Sequence, residues 1–330
     1  MISYKYNRKF TPRAKLNPGT HYRLHLVLIF TICVTHLTAA ISSEVAMITI
    51  NKGSFIMGSN KIDKKEQWKE YGSREPWFLN EHPQHKVYLD DYLIDKFEVT
   101  YEAYRQFTQQ TNHPMPKIWL NNGYALSVKA EKLKLLDEKT LREIVVNVMR
   151  LDLDTRKMDA NQLLTSIKDQ WTYQNNLPVT HVSWVDANKY CQFRNKRLPT
   201  EQEWEKAARG SDNNEFIFGH SWQAGWSNVG EEYWDDGVAP VGSYPKDRSQ
   251  YGVMDMAGNV YEWVSDWYQA YPGSDYQHKD FGKKYKSVRG SGFGKDGHYF
   301  LVHYQRAAYR TRLHPDTSQP GQGFRCAKSK

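Results

Sequence analysis

Along the chain, apolar positions fall into short, well-punctuated runs. Met47 to Gly58 reads MITINKGSFIMG, alternating apolar and polar residues up to a glycine, and predicts a strand closed by a turn. A second alternating run, His85 to Leu93, follows Glu81-His82-Pro83 and predicts another strand. Beyond it, Thr100 is a good N-cap for a helix over about Tyr101 to Gln110, with Tyr104 and Phe107 on its inner face. Ser183 with Asp186 and Thr200 with Glu203 place capping-box starts ahead of two brief helices. The first carries Trp184, Ala187, Tyr190 and Cys191 on one face. The second carries Trp204 and Ala207 and stops at Gly210, a residue suited to the position after a helix end.

The stretch Leu126 to Ile167 has a different period. Leu141, Ile144, Val145, Val148 and Met149 recur at helical spacing, and Asp159 with Gln162 starts a further helix carrying Leu163, Leu164 and Ile167. This predicts a helical insertion over about 124–170 on a mixed α+β body. It is either decoration packed on that body or an arm that binds a partner. From Gly219 onward the pattern dissolves into a run dense in Gly, Trp, Tyr, Asn and Asp, with short strand-like pieces at Lys286 to Arg289 and Gly323 to Ala327. All eleven tryptophans lie beyond residue 40, which predicts a loop-rich core held by aromatic packing and indole hydrogen bonds.

Composition adds the compartment. At 330 residues, 39% hydrophobic and 14% aromatic, the chain is too apolar to be disordered and long enough for one large or two ordinary domains. Its net charge is +8, but residues 1–40 hold six basic residues and no acidic one, so the remainder carries only +2. That removes the main reason to expect a nucleic-acid partner, and no nucleic-acid, phosphate-loop or dinucleotide motif appears. After Arg23, the apolar run within Leu24 to Ala40 ends in Thr38-Ala39-Ala40, the pattern of a signal peptide spanning 1–40, or of a signal anchor if uncleaved. The remainder, 41–330, is then a secreted or periplasmic protein without a membrane span. Three cysteines, Cys33, Cys191 and Cys326, are too few for a disulfide scaffold or a four-thiolate zinc site.

Asp255-Met256-Ala257-Gly258-Asn259-Val260-Tyr261-Glu262-Trp263 sets two carboxylates seven residues apart across a Gly-Asn turn. Alone, it reads better as a turn entering an aromatic strand, with Glu262 in an ion pair, than as a cation loop. Its surroundings change that. In order along the chain come Gly53-Ser54-Phe55-Ile56-Met57-Gly58, Glu81-His82-Pro83-Gln84-His85, Glu98-Val99-Thr100, Pro178-Val179, and Val182-Ser183-Trp184 with Ala187. There follow Lys196-Arg197-Leu198-Pro199-Thr200-Glu201 with Glu203-Trp204-Glu205, then Tyr251 to Trp263, and Gly323-Phe324-Arg325-Cys326. Together these motifs resemble the formylglycine-generating enzyme, or sulfatase-modifying factor, family over about Met47 to Ala327.

The resemblance implies an α+β, C-type-lectin-like body with little regular structure. It implies structural calcium at the Asp255 and Glu262 side chains with the Gly258 and Val260 carbonyls, and a second calcium at Asn228 and the Val229 carbonyl, with Asp235 or Asp236. It also implies a disulfide between Cys191 and Cys326, where the alternative is two buried free thiols. The family's active enzymes hold copper with two cysteines between the Arg-Gly-Gly-Ser-like strand and Gly-Phe-Arg-Cys. Here that segment, Arg289 to Arg310, has no cysteine, and Lys295 and a residue near Val302 stand at the thiol positions. Tyr261 also replaces a tryptophan of the family pattern. Copper held by a cysteine pair is therefore not expected.

What remains in that pocket is Lys295, Asp296, His298, His303, Arg310 and Tyr261, and a redox metal held by histidine and carboxylate there is unknown. The leading reading is an exported, divergent oxidase or tailoring enzyme acting on a peptide, a protein or a small secreted metabolite. The first alternative is a non-catalytic, calcium-stabilised binding or accessory module, and the second is genuine formylglycine formation on sulfatases.

Overall fold

The computed structural model describes residues 46–230, 237–293 and 301–330. The strands are β1 (Met47–Ile50), β2 (Gly53–Met57), β3 (His85–Leu89), β4 (Tyr92–Asp95), β5 (Tyr261–Trp267), β6 (Lys286–Arg289), β7 (Arg310–Leu313), β8 (Gln322–Gly323) and β9 (Ala327–Ser329). They form a β1-β4-β9 sheet, a β2-β3 hairpin and a β7-β6-β5-β8 sheet in which only β5 and β8 run parallel. Four helices of nine residues or more accompany them: α1 (Tyr101–Thr111), α2 (Ala160–Asn175), α3 (Trp184–Phe193) and α4 (Glu201–Arg209).

The helix starts follow local chemistry. Thr100 caps α1 by accepting from Ala103 N, and complete capping boxes open α2, α3 and α4 at Asp159/Gln162, Ser183/Asp186 and Thr200/Glu203. Gly210 ends α4 with φ 75°, in the left-handed region that glycine tolerates.

The strands depart from the expected boundaries. The run expected as one strand from Met47 is broken at Asn51-Lys52, and the run from His85 is broken at Asp90-Asp91. The Asp91 carboxylate accepts from Lys52 N, which ties the two breaks together. Gly323 to Ala327 is not one strand either. Phe324-Arg325-Cys326 leaves the ladder because Phe324 O accepts from Val99 N, Cys326 N donates to Asp95, and Arg325 turns inward. Likewise the helix expected through Leu141 to Met149 changes from α (Glu138–Glu143) to one π-helical turn (Ile144–Val148). This keeps Leu141, Val145 and Met149 buried.

The helical insertion does not stand apart from the body. Leu141, Val145, Leu163, Ile167 and Trp171 join one apolar cluster with Tyr101, Tyr104, Phe107 and Trp119, and that cluster continues into Tyr190, Trp263 and Phe324. Indole donors hold the coil as expected from composition. Trp263 Nε1 donates to Val182 O at 3.0 Å, Trp184 Nε1 to Val264 O at 2.8 Å, and Trp171 Nε1 to Gly123 O at 3.2 Å. Among the described residues, no helix is long and apolar enough to cross a membrane.

Cys191 on α3 and Cys326 before β9 are disulfide-bonded across a sequence separation of 135. A loop of that length loses much unfolded-state freedom when closed, so replacing both cysteines with alanine is expected to cost about 2 to 5 kcal/mol. Urea unfolding of the variant checks this, and an unchanged midpoint would remove the bridge from the list of stabilising contacts.

Candidate functional site

Arg325 is fully buried and spends all its donors on protein. Its Nε and Nη2 donate to Glu262 Oε2 and Oε1, each at 2.7 Å, and Nη2 reaches Met254 O at 2.9 Å. Nη1 donates to Asp95 O and Lys96 O at 3.2 and 3.1 Å. Trp204 Nε1, from α4, donates to the same Glu262 Oε2 at 2.9 Å. The ion pair that the turn chemistry suggested for Glu262 is therefore present.

Around this guanidinium lie four carboxylates: Glu262, Glu98, Asp255 and Asp247. One cation against four buried acids leaves a large charge excess, and three of them, Asp255, Asp247 and Glu98, are pushed toward their protonated forms. Burial pushes Asp255 up to about 6. Burial, with the Asp255 charge beside it, pushes Asp247 up to about 7. Glu98 is raised well above its ordinary value by burial and then by Asp255.

Asn259, with φ 69°, is the hub of the adjoining turn. Its Oδ1 accepts from Asn228 Nδ2 and Ala239 N, and its Nδ2 donates to Glu98 Oε1 and Ala239 O. Gly258 packs so closely beneath this turn that a Cβ there would lie 2.4 Å from Asn228 O.

Among the described residues, two buried acceptors in this region accept no donated hydrogen bond, Glu98 Oε2 and Asn228 Oδ1, although the Glu98 carboxyl also faces Asp255. An excess of carboxylate oxygens, orphaned oxygen acceptors and nearby turn carbonyls is a donor set that fits a hard divalent cation. Of the residues expected at the first calcium position, Asp255 lies in the acid cluster with one oxygen taken by Gly242 N at 2.6 Å. The Gly258 carbonyl accepts from Val260 N, and Glu262 is engaged by Arg325 and Trp204. At the second position, Asn228 offers its orphan oxygen and Val229 is buried beside it, while Asp235 and Asp236 lie outside the described residues. Glu98, Asp247 and Asn259 were not singled out as site residues from sequence. Glu98 was nonetheless visible within the Glu98-Val99-Thr100 motif.

The second group surrounds the segment where the family's thiols would stand. Lys295, Asp296 and His298 lie outside the described residues. His303 stacks on Trp77 with ring centroids 4.5 Å apart and meets Phe78, Tyr304 and Tyr309 edge-on. Burial, aided by the Arg306 charge, lowers its pKa to about 3, so the imidazole is neutral at any physiological pH, and its Nδ1 has no partner among the described residues. A cleft of about 160 Å³ opens here, lined by Trp77, Tyr276, His303, Tyr304, Tyr309 and Arg312 among others.

Arg310, expected in this pocket, borders the cleft but is committed elsewhere. It grips Glu201 through Nε and Nη2 at 2.7 and 2.8 Å and donates from Nη1 to Asn80 O and Gln269 O. Arg289 is similarly spent on Glu205, Glu201 and Ala307 O. Tyr261 packs its ring edge against Gly292, where a Cβ would lie 2.9 Å away. Among the described residues, one group of three acid or histidine ligand atoms lies within 4.8 Å, Glu75, His278 and Asp280. Arg312 already bridges its two carboxylates.

The family model for the sulfatase-modifying factor enzyme 1-like domain matches residues 36–330. The chain belongs to the sulfatase-modifying factor family. It is 28% identical to the mouse (Mus musculus) formylglycine-generating enzyme over 85% of this chain and 74% of that one. It is 26% identical to the mouse inactive C-alpha-formylglycine-generating enzyme 2 over 92% of both. The solved structure of PvdO from Pseudomonas aeruginosa superimposes with a TM-score of 0.52 at 22% identity, covering 86% of this chain and 94% of that one, and shares its fold. The α+β, formylglycine-generating-enzyme-like architecture expected from the motifs is thus the one observed.

The acid cluster makes the metal-free body pH-sensitive. Asp255 and Asp247 have higher pKa values folded than unfolded, so their contribution is whole below about pH 4 and is lost as pH rises through about 6 and about 7. With EGTA present, the melting temperature of this family member should therefore fall between pH 5 and 8, and a flat or rising profile would contradict the assignment. Arg325→Met leaves Glu262 buried and unpaired and is expected to cost about 3 to 5 kcal/mol in chemical denaturation.

Proposed function

We propose that this chain is an exported, calcium-stabilised member of the sulfatase-modifying factor family that binds a ligand and does not generate formylglycine. The observation that carries this is a subtraction of thiols. Cys191 and Cys326 are bonded to each other, Cys33 belongs to the expected leader, and Arg289 to Arg310 contains no cysteine. No thiolate pair is left for monovalent copper, and neither lysine nor valine replaces one. The disulfide and the leader pattern both support export to an oxidising compartment. The four acids around Arg325, with the orphan oxygens of Glu98 and Asn228, support calcium in the turn region.

In the body so stabilised, the aromatic cleft of Trp77, Tyr276, Tyr304 and Tyr309 suits a flat group of a peptide or small secreted metabolite. A second reading, an oxidative tailoring enzyme, is favoured by one observation. His303 is held neutral, with Nδ1 unpartnered among the described residues, in the segment whose sequence also contains Asp296 and His298.

Metal analysis of the purified protein, run beside co-expression with a sulfatase and mass spectrometry of its target cysteine, distinguishes the readings. The expected result is calcium without stoichiometric copper or iron, and an unmodified cysteine. Stoichiometric iron or copper that His298→Ala abolishes would establish the tailoring enzyme instead. An aldehyde on the sulfatase would overturn the proposal outright.

A further inference from the structure

The helical stretch 118–175 holds a groove that shares no lining residue with the aromatic cleft. It measures about 1070 Å³ and runs between α2, the short helix Ile118–Asn121 and the segment Met149 to Leu153 that follows the π-helical turn. That volume is at the upper end of what small-molecule pockets occupy and suits a longer ligand.

Charge gives the first indication of the ligand. Asp152 on the loop and Asp169 on α2 are exposed on different elements of the lining, and neither is in an ion pair among the described residues. With Arg150 as the third charge, the lining carries a net −1. The second indication is apolar surface. Leu153 in the lining is 46% exposed and stands with Ile118, Val148 and Leu151, which also line the groove. The third lies at the base of the groove. Gln174 is 2% exposed and its Oε1 has no partner, and Asn122 Nδ2 beside it has none either. One unused acceptor and one unused donor are the complement of a single peptide group.

We propose that this groove binds an extended segment of a partner protein in which apolar side chains flank a lysine or arginine, with the cation seated between Asp152 and Asp169. The proposal stands apart from the reading of the aromatic cleft, because it uses different residues and makes no assumption about metal or catalysis.

The test uses fluorescein-labelled peptides of about ten residues, long enough in extended form to cross the groove, with leucine alternating with lysine, glutamate or serine. Fluorescence anisotropy with the full mature chain should show the lysine peptide binding and the glutamate peptide not binding. Asp152→Asn/Asp169→Asn should weaken the lysine peptide by about tenfold or more, and Leu153→Ser should weaken it further. Asp154→Asn, an exposed carboxylate outside the lining that pairs with Arg156, should leave binding unchanged. All four substituted positions are exposed, so thermal melts of the variants should match the parent. Equal binding of lysine and glutamate peptides, or undiminished binding by the double variant, overturns the proposal. A chain that is dimeric by light scattering and becomes monomeric on Asp152→Asn/Asp169→Asn also overturns it, by assigning the groove to a second copy.

Discussion

The fold depends on one guanidinium buried without access to water. Removing an arginine and a glutamate from solvent is costly, and the cost is offset only when every donor finds an acceptor in good geometry. Arg325 meets that condition by binding Glu262 with both ends of its fork and three backbone carbonyls besides. Those acceptors come from β5, from the turn at Met254 and from the segment leaving β4, so one side chain fixes three separate stretches against the C-terminal segment. The disulfide one residue further on closes the same junction onto α3.

The same device recurs wherever the chain is coil. Arg310 satisfies Asn80 O and Gln269 O while held by Glu201, Arg289 satisfies Ala307 O while held by Glu205, and Arg306 is gripped by Glu81 through both oxygens. Arg209 donates to Ile56 O and Gly58 O. Buried carbonyls must be paired, and in a body with short strands the ladders cannot do it all. Arginines anchored by carboxylates take over that work, which is why so many charged residues are buried here without forming a catalytic site. Perturbed titration alone would have mistaken several of them for catalytic groups.

This explains what could be read from the sequence. Helix starts were legible because a cap and its partner sit three residues apart, as at Ser183/Asp186 and Thr200/Glu203. The inner face of α1 was legible from Tyr104 and Phe107, and the family's ordered motifs carried the architecture. Strand ends were not legible, since Asp91 breaks two runs at once by reaching back to Lys52. Nor was the acid cluster, because Glu98 and Asp255 meet only after the 156 residues between them fold. His303 is a similar case. Its neutrality comes from burial against Trp77 and from Arg306, one remote and one nearby, and nothing in the short helical turn Val302–Gln305 signals the stacking.

Keeping the fold and keeping the family's oxidation chemistry are physically separable demands. Every device that holds this body together, from the Arg325 junction and the disulfide to the capping boxes and indole bonds, lies outside the two positions where copper thiolates would stand. Those two positions supply none of these contacts, so the packing makes no demand for a thiol there. The acid cluster is the exception, since four carboxylates around one arginine are a liability to a metal-free fold at neutral pH. A chain with only structural demands would relieve that excess with an amide or an apolar residue. A divalent cation would supply the missing charge, and a turn clamped in that way would be as useful for presenting a binding surface as for supporting a catalytic one.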